Sequence, residues 1–118
     1  MSGTSEKPGY QPLAEWWRQT SEDQLKMLLP KAAQYGSNSL ERVGFQLARI
    51  GNRVPTAAES QELGCYFYAL GKMERWSDAV LRGEQCSDDT LLDLETYCRM
   101  VLRIRQAGEW PGKVEPHK

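Results

Sequence analysis

Histidine is nearly missing from this 118-residue sequence: His117 is the only one, and cysteine is limited to Cys65, Cys86 and Cys98. A structural zinc site needs four Cys or His ligands at short, paired spacings, and nothing here supplies them. A Ser-His-Asp triad or a nucleophilic Cys–His pair would have to borrow its imidazole from the tail. So few cysteines fit a reduced compartment, with Cys65 and Cys98 inside helical patterns as small packing residues and Cys86 in a loop. No apolar run approaches the ~20 residues that span a bilayer. The stretch from Met1 to Gln11 is polar and lacks the apolar core of a signal peptide. Neither a G-x-x-x-x-G-K-[ST] loop nor a dinucleotide fingerprint occurs. The 15 basic residues against 16 acidic leave a net charge of -1, too even to draw a nucleic acid or an anionic membrane surface. The expectation is a cytoplasmic protein with neither kind of partner.

What remains is helical. The length suits one domain with a core small enough to gain from homo-oligomer formation. Residues 1–11 read as a disordered lead-in and 112–118 as a flexible tail, leaving a helical domain over 12–111. Pro12 to Gln19 predicts a short helix. Ser21-Glu22-Asp23-Gln24 has the form of a capping box opening a second helix to about Tyr35, with Pro30 expected to kink or break it and Gly36 to stop it. A further helix is predicted over Asn38 to Ile50, ended by Gly51-Asn52. Thr56-Ala-Ala-Glu59 is a second capping box, opening the longest helix, Ala57 to Leu81. Ser87 caps a last one, Asp88 to Gln106, with Asp88 and Asp89 at its positive end and Ala107-Gly108 stopping it. No strand alternation or internal repeat occurs. The fold class is therefore all-α, a four-helix-bundle-like single domain with irregular termini.

Helical wheels single out acids. With Glu62 as origin, Leu63, Tyr66, Phe67, Leu70 and Met73 form an apolar stripe centred near roughly 75°, and Glu59 falls inside it at about 60°. On the last helix, Thr90, Leu94, Tyr97, Cys98, Val101 and Ile104 form the stripe, with Asp93 at its edge and Asp89 one turn earlier. Carboxylates that face one another repel unless a cation lies between them, and hard cations such as Mg²⁺ or Mn²⁺ take oxygen ligands. Such a metal can hold nucleotide phosphates and activate water. The alternative is that Glu59 bonds back to Thr56, Asp88 and Asp89 complement a helix dipole, and Glu62 and Asp93 pair with Arg or Lys. Antiparallel packing would set the two acidic helix starts apart, unless the helices are offset, cross steeply or come from two subunits.

Glu59-x-x-Glu62-Leu63, followed after a loop by Leu92-Asp93-Leu94, resembles the MazG-type all-α nucleotide pyrophosphohydrolases. Lys31-Ala-Ala-Gln-Tyr35-Gly36 is similar to a K…YG segment of phage relatives, and the likeness covers roughly Leu25 to Arg105. The resemblance implies a magnesium-dependent hydrolase that cleaves a nucleoside triphosphate to monophosphate and pyrophosphate. It would use Glu59, Glu62 and Asp93 as catalytic ligands, with Lys31, Tyr35 and Lys72 holding the nucleotide. The glutamate that the family carries three residues before Asp93 is Thr90 here; Asp89, which shares a face with Asp93, is the candidate fourth metal ligand. The stretches Tyr66-Phe67-Tyr68-Ala-Leu-Gly71-Lys72, Ser87-Asp88-Asp89-Thr90-Leu91 and Gly108-Glu109-Trp110-Pro111 also resemble small uncharacterised proteins of actinobacterial phages, which would place the chain in a host cytoplasm.

Arg75, Arg82, Arg99, Arg103 and Arg105 gather in the C-terminal half, as phosphate forks or as a solvated face paired with acids. Tyr66-Phe67-Tyr68 covers several faces of its helix, which suits core or dimer packing. Trp16 and Trp17 point to different sides of any helix, so one is available to an interface. Trp110-Pro111 can clamp the last helix, fill a subunit interface or stack on a base. Two functions stay open: the metal-dependent hydrolase, and a non-catalytic helical protein that binds a host protein or sequesters a nucleotide.

Overall fold

The helix ends follow the side-chain chemistry closely. In the structure, a computed structural model, the described residues are 9–35 and 38–111, apart from the side chains of 33–35. They form four helices: α1 (Tyr10–Tyr35), α2 (Asn38–Ile50), α3 (Ala57–Leu81) and α4 (Asp88–Ala107). The chain is all-α and four-helix-bundle-like, and no strand occurs among the described residues. Asn52, with φ at 66°, turns α2 off. Arg53 N–H then reaches back to the Ala48 carbonyl and Asn52 N–H to that of Arg49, the paired bonds of a Schellman motif. Gly83, with φ at 74°, repeats that exit after α3, where Glu84 N–H bonds the Ala79 carbonyl. Thr56 and Glu59 exchange both bonds of a capping box at the start of α3. Ser87 caps α4 by accepting from Thr90 N–H, and the left-handed Gly108 ends it.

α1 departs from expectation. One helix of 26 residues runs through the predicted Ser21 start and through Pro30. The segment around the proposed box is satisfied without a break in the helix: Thr20 Oγ1, one residue before it, donates to the Trp16 carbonyl at 2.8 Å, and Asp23 accepts from Gln19 Nε2 at 3.1 Å. Gln24 instead leaves the helix and donates to Thr96 Oγ1 on α4 at 2.7 Å. Tyr10 and Gln11, assigned to the lead-in, are helical. Residues 1–8 of that lead-in, the Gly36 stop and the 112–118 tail lie outside the described residues.

α2 and α3 pack tightly because two glycines let their backbones meet. A Cβ on Gly44 would stand 1.6 Å from the Ser60 carbonyl oxygen, and one on Gly64 would stand 2.1 Å from that of Leu40. Leu40, Gly44 and Ala48 recur every four residues on α2, and they are its buried positions. On α3 the buried positions are Ser60, Gln61, Gly64, Cys65 and Ala79, all small apart from Gln61. α4 closes the core with Met100 and Ile104, and Tyr68, Tyr97, Val101 and Trp110 pack around it. α1 lies further out, since it packs closely against no other helix over any length.

This packing excludes the core half of the core-or-dimer expectation for most of the α3 stripe. The stripe of large apolar residues on α3 points outward: Tyr66 is 59% exposed, Met73 52% and Leu81 82%. The close approach leaves room only for small side chains between α2 and α3, so the bulky face must turn away. Cys98 is likewise exposed, while Cys65 is 1% exposed and burial pushes its thiol up to about 11. Cys65 is therefore an inert packing residue.

Candidate functional site

Three of the acids singled out by the sequence, Glu59, Glu62 and Asp93, each have a separate partner. Glu59 is not in a buried face: it is exposed at the mouth of α3, where Oε1 accepts Thr56 N–H at 2.9 Å and Oε2 accepts Arg53 Nη2 at 3.1 Å. It shares the angular position of the apolar stripe, but that stripe is mostly on the outside, so a carboxylate there stays in water. The Thr56 backbone bond, then Arg53, hold its carboxyl below the ordinary value. Glu62 accepts both forks of Arg105, at 3.2 Å from Nε and 2.7 Å from Nη2. That bidentate bond holds its carboxyl down and raises the guanidinium in turn. Asp93 pairs with Lys72 at 2.9 Å.

The order of these pairs shows that α3 and α4 run antiparallel: the start of α3 meets the end of α4, and Lys72 further along meets Asp93. The step from Asp93 to Arg105 along α4 spans roughly 18 Å. Glu62 and Asp93 therefore sit at different levels of one helix pair. Among the described residues no three metal-capable side chains form a group that could hold a cation. Within one chain, Glu59, Glu62, Asp89 and Asp93 do not assemble as a shared ligand set. Thr90 does not stand in for the family's glutamate either. It is buried, and its hydroxyl lies 3.0 Å from Ser87 Oγ, so it serves the cap.

The structure does gather some of the predicted residues. Lys31, Asp89 and Asp93 line one depression between α1 and α4, beside Gln24, Leu28 and Thr96. An adjoining depression of about 360 Å³ shares Leu28, Lys31, Asp93 and Thr96 and adds Ser39, Tyr68, Tyr97 and Trp110. Tyr68 and Tyr97 stack at 5.9 Å with an interplanar angle of 15°. Burial, with Asp93 nearby, pushes the Tyr97 phenol up. Lys72 reaches this region through its bond to Asp93. The Tyr35 side chain lies outside the described residues. The groove thus holds cations, acids and aromatic surface without concentrating one charge.

No protein-family model, curated protein or solved structure matches this chain.

Gln61 is the residue that sequence reasoning missed. It is 2% exposed, donates to Glu41 Oε1 at 2.8 Å and accepts Trp110 N–H at 2.7 Å. One amide thereby ties α2, α3 and the segment after α4 together, and Trp110 folds back onto the core as a clamp. The available signal was Ser60 and Gly64, four apart, which mark the true inner face of α3 on which Gln61 lies.

The outer surface is the other notable feature. Leu13, Trp16, Trp17, Leu25, Met27 and Leu29 of α1 are exposed, as are Tyr66, Phe67, Leu70, Met73, Val80 and Leu81 of α3. Arg99 and Arg103 are exposed on α4, while Arg82 bonds Glu84 and Arg105 bonds Glu62.

Proposed function

We propose that this chain is a non-catalytic helical interaction protein whose task is to dock apolar helix faces onto other protein surfaces. The observation that carries the reading is α3, whose inner face is built from small residues while its large apolar residues are spent on the outside. Scattered exposed apolar residues are ordinary; a stripe on one helix face from Tyr66 to Leu81, broken only at Ser77, is of the kind that binding surfaces carry. The acids support the same conclusion. Glu59, Glu62 and Asp93 each answer a different cation, so each has a structural partner without invoking a shared metal.

The α1–α4 groove favours a second reading: a MazG-like nucleotide site with Mg²⁺ or Mn²⁺ at Asp89 and Asp93, Lys31 meeting phosphate and the tyrosine pair meeting a base. One assay separates the two. The protein is incubated with a panel of deoxynucleoside triphosphates and Mg²⁺ or Mn²⁺, and pyrophosphate release is measured beside Glu62→Gln and Asp93→Asn. The interaction reading expects no release from any nucleotide. Turnover that Asp93→Asn abolishes would overturn it in favour of the hydrolase, and a nucleotide-dependent thermal shift without turnover would assign the groove to sequestration.

A further inference from the structure

The outward stripe of α3 has an internal order. Leu63, which is half-buried, and the exposed Tyr66, Leu70, Met73, Ser77 and Val80 recur at alternating steps of three and four, the a and d spacing of a heptad seam. Phe67 and Leu81 flank it on one side, Ala69 and Trp76 on the other. Tyr66, Phe67, Leu70, Met73, Val80 and Leu81 together expose roughly 700 Å², taking each side chain at its usual full area. That exceeds the largest apolar patch of a typical monomer, about 300–600 Å². It approaches the ~800 Å² that each partner contributes to a standard stable interface.

Resting on the interaction reading, the geometry points to a second copy of this chain as the occupant, with the two α3 helices packed antiparallel across a twofold axis between Leu70 and Met73. The side-chain volumes select both the partner and the direction. In an antiparallel seam each a position faces a d position. Leu63 then meets Val80 of the second copy, Tyr66 meets Ser77, and Leu70 meets Met73, with Trp76 over Ala69 at the flank. Every bulky residue faces a smaller or flexible one, and the twofold repeats each pairing, as a self-complementary interface must. A parallel pairing sets Tyr66 against Tyr66 and Ser77 against Ser77, which crowds one layer and leaves a void in another. The helices α2 and α4 pack on the opposite side of α3, through Gly64 and Cys65, so they leave the seam clear.

The test is the mass of the full chain by light scattering over a concentration series, for the wild type, for Leu70→Glu and for Leu70→Glu/Met73→Glu. Both sites are exposed in the single chain, so the variants keep the far-ultraviolet helical signal. The expected result is a dimer whose dissociation constant rises at least 100-fold in the double variant. A monomeric wild type, or a dimer indifferent to both variants, overturns the proposal. Direction is read by disulfide trapping with Cys86 and Cys98 replaced by Ser. Tyr66→Cys/Ser77→Cys should cross-link between copies and Ser77→Cys alone should not; cross-linking of Ser77→Cys alone overturns the antiparallel order. A monomeric chain without pyrophosphate release would end this inference and leave a different protein as the partner. Turnover by a dimer would end the interaction reading and leave the seam standing.

Discussion

The same substitution, Gly→Ala, should have opposite signs at two helical positions of this protein. Gly71 lies inside α3 with nothing within 4 Å of an added Cβ, so Gly71→Ala gains helix propensity alone. That should stabilise the chain by about 0.5–1 kcal/mol. Gly44→Ala gains the same propensity but drives its methyl to 1.6 Å from the Ser60 carbonyl oxygen and 2.5 Å from the carbonyl carbon. Those atoms belong to a helix backbone and cannot rotate away. Ordinary contact requires the two helices to part by roughly 2 Å at their crossing. Parting them strips packing from Leu40 and Cys65 and stretches the Gln61–Glu41 bond, two features of a core with few buried apolar residues. The overpacking cost of typically 1–3 kcal/mol, with about 1 kcal/mol for the loosened hydrogen bond added, outweighs the propensity gain of about 0.5–1 kcal/mol and gives a net loss of about 1–3 kcal/mol. Urea unfolding followed by circular dichroism, at one fixed protein concentration, measures both variants against the wild type. If Gly44→Ala and Gly71→Ala agree within about 0.5 kcal/mol, the close backbone crossing is wrong.

Two further outcomes follow from named contacts. Gln61→Leu removes the acceptor of the Trp110 amide and the donor to Glu41, so it should cost about 2–3 kcal/mol and speed hydrogen exchange at Trp110; unchanged exchange would mean that the C-terminal clamp does not depend on the amide. Glu62 has its folded carboxyl held below the ordinary 4.5, chiefly by the Arg105 hydrogen bond, so its contribution is full above that value and fades as pH falls through the lower folded one. Because the pair is partly exposed, the contribution is at most about 1 kcal/mol and salt-sensitive. Wild type and Glu62→Gln should therefore differ in thermal midpoint at neutral pH and converge in acid, and a gap that widens in acid would contradict the assigned sign.

Local signals in the sequence were read well where the chemistry is local. Asn38–Ile50 and Ala57–Leu81 fall where spacing predicts them, because Asn52, the Thr56–Glu59 box, Ser87 and Gly108 act within a few residues of themselves. The expected helix start at Ser21 fails for a related reason: the acid of a cap sequence is equally satisfied mid-helix, as Asp23 is by Gln19, and Gln24 has a partner on α4 that no local pattern reveals. The acids divide the same way. Glu59's bond to Thr56 is local and was among the readings open at the outset, whereas the Arg105 fork on Glu62 joins residues far apart in the chain.

The sequence by itself determined that this protein is helical, where three of its helices begin and end, and that α3 carries a stripe of large apolar residues. The tertiary structure decided which way that stripe faces. Periodicity reports that side chains share a face; it carries no information on what the face meets. That depends on how near two backbones can come, and Gly44 and Gly64 bring α2 so close that only small residues fit between. The antiparallel run of α3 and α4 likewise decided that Glu62 and Asp93 stand at separate levels, each beside its own cation, because charges on two helices meet only where the crossing puts them.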